Sequence, residues 1–209
     1  MARLLESCCT SVLQAEKALH GGAGRIELCE CIEVGGVTPS DENIKATVAL
    51  GSPVNVLVRP RGGDFVYSES EEAQMLASID ACRRLGASGV VIGALDKSSD
   101  IDMPMMRRLI ARARGSEGER RLNVTFHRAF DECRDPYSAL EQIISLGCDT
   151  LLTSGQKTTA YEGRVLIAEL VRIAAGRIVI MPGSGVTPSN LDEIEKITGA
   201  VEFHGTKIC

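Results

Sequence analysis

One unit recurs along the chain: a helical run ends at glycine, a short turn follows, then an apolar β-branched strand, a polar loop and a helix cap. The junctions read Gly21-Gly22-Ala23-Gly24-Arg25-Ile26, Gly86-Ala87-Ser88-Gly89-Val90, Gly147-Cys148-Asp149-Thr150-Leu151, Gly176-Arg177-Ile178 and Gly199-Ala200-Val201. Glycine just past a helix adopts the left-handed conformation that stops it. Strands are predicted at Leu4–Cys9, Arg25–Glu30, Val54–Arg59, Gly89–Ala94, Asn123–Arg128, Thr150–Ser154, Arg177–Met181 and Val201–His204, with seven helical patterns between them. Thr38-Pro39, Asp102-Met103-Pro104, Asp135-Pro136 and Thr187-Pro188 each put a capping residue ahead of a proline at or near a helix start. Glu71 and Glu72 open the helix predicted from about 70 to 85 and complement its dipole.

Strands alternating with helices make a parallel sheet with right-handed crossovers. Eight of them fit a closed α/β barrel, the TIM (β/α)₈ fold, better than an open sheet. No Gly-x-Gly-x-x-Gly follows the first strand, which argues against a dinucleotide-binding sheet. Residues 1–209 read as a single domain, and only five residues follow the last predicted strand, so the eighth helix is expected to be absent. The groove that this leaves beside the first helix would expose Val201 and Phe203, and self-association into a homo-oligomer is expected there.

Strand side chains alternate between the barrel interior and the helix layer, and the helix-facing set should be apolar. That criterion sends Ile26, Leu28, Val54, Val56, Val58, Val124, Phe126, Ile178, Ile180 and Phe203 outward. It leaves Glu6, Cys8, Glu27, Cys29, Arg59, His127, Glu202 and His204 inside. An interior of this kind is more polar than the branched apolar layers of an ordinary barrel. Buried charges must be paired, and Glu27 with Arg59 on the next strand is the expected pair. Glu6-x-Cys8 and Glu27-x-Cys29 repeat one word on neighbouring strands, which can bring the two thiols together.

A net charge of −5 offers no basic field for nucleic acid or an anionic membrane. The one dense basic run, Arg107 to Arg121, is interrupted by acidic residues, has no aromatics between its arginines, and reads as a solvated helix end and loop. No signal peptide and no membrane-spanning run is expected. The eight cysteines form no Cys-x-x-Cys pair and lie mostly in helix- or strand-like runs, so they read as free thiols of a cytoplasmic protein.

Several words at the strand ends resemble the CutC copper homeostasis family: Arg25-Ile26-Glu27-Leu28-Cys29, Arg59-Pro60-Arg61-Gly62-Gly63-Asp64-Phe65, Thr125-Phe126-His127-Arg128-Ala129-Phe130-Asp131, Met181-Pro182-Gly183-Ser184-Gly185 and Glu202-Phe203-His204. They run in order from first strand to last. The resemblance implies a TIM barrel and cytosolic copper handling. The family commonly has Cys directly after the final Glu-Phe-His, where this chain has Gly205, and usually continues into a further helical segment.

Two functional readings follow. In the first, Cys8 and Cys29 bind Cu(I), with His127 and His204 completing the site, because thiolates are soft ligands. The plain alternative is that both cysteines are small buried hydrophobes. In the second, the chain is an enzyme acting on a small anionic or carbonyl compound: Arg59 and Arg61 hold the anion, and Glu27 or His127 moves a proton. Here the alternative is a structural ion pair and a hydrogen-bonded core histidine. Gly183-Ser184-Gly185 after the seventh strand reads as a structural turn.

Overall fold

The computed structural model describes residues 3–209. Eight parallel strands make a nearly closed barrel: β1 (Leu4–Cys9), β2 (Arg25–Leu28), β3 (Val54–Leu57), β4 (Gly89–Ile92), β5 (Asn123–Phe126), β6 (Thr150–Thr153), β7 (Val179–Pro182) and β8 (Glu202–Gly205). Each strand pairs with its sequence neighbour, and β8 returns to pair with β1. Among the described residues β7 and β8 lie side by side but share no ladder. Seven α-helices alternate with the strands: α1 (Val12–His20), α2 (Asp41–Val48), α3 (Glu69–Leu85), α4 (Met103–Arg114), α5 (Pro136–Ser145), α6 (Arg164–Ala174) and α7 (Leu191–Thr198). Among the described residues no helix is long and apolar enough to cross a membrane.

Asp102 and Asp135 cap α4 and α5 as expected, each with proline in the first turn. On α3 Glu71 does more than complement the dipole: with Ser68 it forms a reciprocal capping box. Two prolines fall outside the helices they were expected to start. Helix α2 begins at Asp41 after Ser40, and α7 at Leu191 after Asn190, so Pro39 and Pro188 shape the preceding turns. Three of the four arginines of α4 are paired: Arg108 meets Glu72, Arg112 meets Asp80 and Arg114 meets Asp149.

Two separate buried groups reproduce the inside–outside alternation. Ile26, Leu28, Val56, Val90, Phe126, Ile180 and Phe203 belong to the layer between barrel and helices. Cys8, Cys29, Leu57 and Val91 form a small cluster inside the barrel. Strands β2 to β5 end two residues earlier than predicted, because the chain there leaves the ladder to enter the mouth loops. Cys29, Arg59 and His127 therefore sit just beyond their strands, on the C-terminal face where barrels of this type carry their sites.

The side of the barrel without an eighth helix is partly covered. Ile208 is buried, and Cys209 lies against Gly21 at the end of α1. Phe203 is fully buried, so only part of the expected apolar groove is open. Val201 remains 41% exposed, with Ile197 at 40% on α7 and Leu13 at 59% on α1.

Candidate functional site

The lower barrel holds a charge network that the sequence reading did not anticipate. Arg25 shares the inward phase of Glu27, and its guanidinium pairs with Glu6 and, at 2.6 Å, with Glu202. Asn55 donates to Glu6 at 3.1 Å. Burial pushes the Glu6 carboxyl up, and the Arg25 charge opposes it only in part.

The expected Glu27–Arg59 pair does not form. In the β2–β3 register Glu27 stands opposite Asn55. Arg59 lies four residues further along the chain from Asn55, beyond the end of β3 and about 13 Å away at roughly 3.3 Å per residue. Its guanidinium donates instead to the carbonyls of Val34, Gly36 and Gly63, which ties two mouth loops together. Arg61 is also committed elsewhere: it pairs with Asp64 at 3.0 Å and Glu71 at 2.5 Å, and its ring-facing contact is to Tyr67. Both guanidiniums are thus engaged by protein carbonyls or carboxylates, with Arg59 Nε left without a partner.

The actual partner of Glu27 is His204, brought in by β8, with His204 Nε2 2.8 Å from Glu27 Oε2. The contact is close but misaligned, so both atoms lack a well-directed hydrogen bond among the described residues. Burial works to raise the Glu27 carboxyl, but the positive His204, helped by Arg25, outweighs it and holds the group low. For His204, burial works downward and the Glu27 charge wins, raising the ring. The pair thus favours the imidazolium–carboxylate form.

Above it, Cys8 Sγ and Cys29 Sγ lie 3.7 Å apart. One donor atom from each of Cys8, Glu27 and His204 falls within 4.8 Å of the others. Contact with Cys29, burial and the nearby Glu27 charge all push the Cys8 thiol upward, so it is protonated when no metal is present.

His127 stands on the far wall, buried, with its ring against Phe65 at 4.9 Å between centroids. Its Nδ1 accepts the N–H of Ala129. A neutral imidazole has one proton, so here that proton sits on Nε2. Such a ring presents no lone pair from Nε2 to a metal, which separates His127 from the thiol–His204 group.

Around these residues opens a cavity of about 670 Å³, floored by Cys8, Glu27 and Cys29 and rimmed by Lys157, Ser184 and Thr206. Asp131, unassigned from sequence, organises the rim. Its carboxylate accepts from Thr153, Ser154, Gln156 and Arg128 and so fixes the loop after β6. The signal was its place in the word after β5, close behind His127. Gly183 packs against Leu152 and His204, where a Cβ would clash, which agrees with a structural turn.

The CutC family model matches residues 3–209. A CutC family protein from Parabacteroides distasonis is 53% identical over 206 residues, covering 98% of this chain and 82% of its own length. One from Pasteurella multocida is 48% identical over 201 residues, covering 96% of this chain and 80% of its own length. The crystal structure of CutC from Streptococcus agalactiae, described as a candidate copper homeostasis protein, aligns with a TM-score of 0.92 and 32% identity over 99% of this chain and 100% of that one. A 2,3-dimethylmalate lyase aligns with a TM-score of 0.72 over 98% of this chain and 76% of that one; at 15% identity it shares the barrel alone.

Proposed function

The chain belongs to the CutC family, and on that premise we propose that it serves copper homeostasis by binding Cu(I) through Cys8 and Cys29, with His204 as a third ligand. The observation that carries this reading is the 3.7 Å approach of the two sulfur atoms at the floor of an open cavity. Two thiolate–metal bonds of about 2.3 Å, the length found at zinc, span such a gap with a bent geometry. Soft sulfur with one imidazole selects Cu(I) over Mg²⁺ or Ca²⁺. Glu27 holds His204 through Nε2, the work an outer carboxylate does at many metal sites, and the ring gives up its second proton as the metal binds. His127, by its tautomer, stays outside the ligand set.

Free thiols so close together suit a reducing compartment, so the proposal includes a cytoplasmic location. It also includes self-association through the side where Val201, Ile197 and Leu13 remain exposed. The test is copper analysis of protein purified under strong reductant, with Cys8→Ser and Cys29→Ser alongside. Copper retained by the parent and lost from both variants supports the reading.

A second reading is favoured by the cavity itself, which at about 670 Å³ is far larger than one ion needs. Its wall sets a Glu–His ion pair beside a neutral histidine, and titrating groups pushed apart in this way are a mark of acid–base sites. On this reading the chain is an enzyme acting on a small anionic or carbonyl compound by proton transfer, with Glu27 as the proton acceptor. A parent protein that holds no copper under those conditions favours it.

A further inference from the structure

His127 is held in one orientation and one tautomer by four neighbours. Ala129 N–H donates to its Nδ1 at 3.1 Å. Phe65 lies against the ring, tilted by 48°, and Phe126 meets it edge-on at 6.1 Å. Gly93, just past β4, leaves the space: a Cβ there would stand 2.6 Å from both Nδ1 and Cε1. The proton fixed on Nε2 is then a buried donor with no partner among the described residues. Buried N–H groups in folded proteins are almost always paired, so an unpaired one on a cavity wall points to an acceptor that arrives with a ligand.

Burial and the nearby Arg59 charge hold the ring's pKa down at about 4, so it is neutral near pH 7. A neutral histidine with Nδ1 occupied is neither a general base nor a metal ligand through Nε2. It is a hydrogen-bond donor that needs no protonation to work. At the rim of the same cavity Lys157 is exposed and has no ion-pair partner among the described residues. The lining of the cavity thus offers a neutral N–H to an oxygen and a free cation to a carboxylate.

We infer that the cavity binds a small 2-oxo carboxylic acid, whose carbonyl oxygen accepts from His127 Nε2–H while its carboxylate is drawn towards Lys157. This deepens the second reading of the site and rests on it. It reassigns His127 from proton carrier to carbonyl polariser, and it leaves Glu27 as the group facing the ligand that can take up a proton.

The test uses the full chain, labelled with ¹⁵N at histidine, with pyruvate and oxalate as probes. Long-range ¹H–¹⁵N spectra of the free protein are expected to show His127 with a bare Nδ1 and a protonated Nε2. Either probe should shift that Nε2 saturably. His127→Phe should weaken probe binding roughly tenfold or more, the loss of one hydrogen bond to a charged or polarised acceptor. His127→Gln, which keeps a donor N–H, should recover part of it, and Cu(I) affinity should be unchanged in both variants. A ring protonated on Nδ1 overturns the inference from the parent spectra alone, whatever the variants do. Saturable probe binding that leaves His127 untouched overturns it while sparing the second reading. No binding of either probe removes both.

Discussion

The sulfur atoms of Cys8 and Cys29 meet at 3.7 Å although the two residues are not opposite one another in the sheet. Cys8 stands across from Glu27, and Cys29 lies one step beyond the last β1–β2 pair. The thiols meet on the diagonal, inside the barrel, where both strands aim the same phase. Because Cys8 is held protonated by its neighbour, its burial and Glu27, a metal must displace that proton. Cu(I) affinity should therefore rise with pH between about 6 and 8, with protons released on binding. Competition titrations in weakly buffered solution measure both. An affinity independent of pH would mean that the metal is held by other atoms.

The two inward histidines should titrate far apart. His127 is held at about 4, and His204 is raised above the ordinary value of 6.5 by Glu27. The raised His204 contributes stability that is complete below 6.5 and fades as pH rises through its folded value. The lowered Glu27 contributes stability that is complete above 4.5 and fades as pH falls through its folded value. Their pair thus stabilises the barrel fully between those two limits. NMR titration of the imidazole protons checks this, and Glu27→Gln should drop His204 well down. A His204 titration that Glu27→Gln leaves unmoved would show the pair is not an ion pair.

Arg25 should matter to stability more than to binding. Arg25→Met leaves Glu6 fully buried without its cation, and breaking a buried pair in this way costs about 3–5 kcal/mol. The penalty should shrink as pH falls and Glu6 takes up a proton. Urea melts at two pH values test it. A variant as stable as the parent at neutral pH would mean that the network is solvated.

Self-association should depend on the face where Val201, Ile197 and Leu13 are exposed. Light scattering over a range of concentrations should show a mass above that of one chain, and Val201→Glu should reduce it. A single-chain mass at every concentration would mean that Ile208 and the flanking helices cover the apolar surface well enough alone.

The barrel was legible because it is written many times over: each glycine stop, apolar strand and capped helix repeats the same instruction. The inward set was legible too, since the outward apolar residues determine the phase. Pairing was not. Whether Glu27 meets Arg59 or His204 depends on how far neighbouring strands are offset, and on β8 closing back onto β1. Alternation carries no information about either. Arg25 was within reach of the same alternation, two residues before Glu27, but it sits at the strand's first position and is easily taken for part of the turn. The tautomer of His127 depends on a backbone N–H two residues away, and only the fold reveals it.

The central claim is that the two inward thiols hold Cu(I). A competition titration against a calibrated Cu(I) chelator, under strict reduction, tests it most directly on the parent, Cys8→Ser, Cys29→Ser and, as a control, Cys82→Ser, a buried cysteine of α3 remote from the cavity. One Cu(I) per chain is expected in the parent and the Cys82 variant. Affinity at least roughly hundredfold weaker is expected in each of the other two, beyond the 10–100-fold that loss of an outer-shell partner costs. Equal affinity across all four proteins, or no stoichiometric binding by the parent, would contradict it.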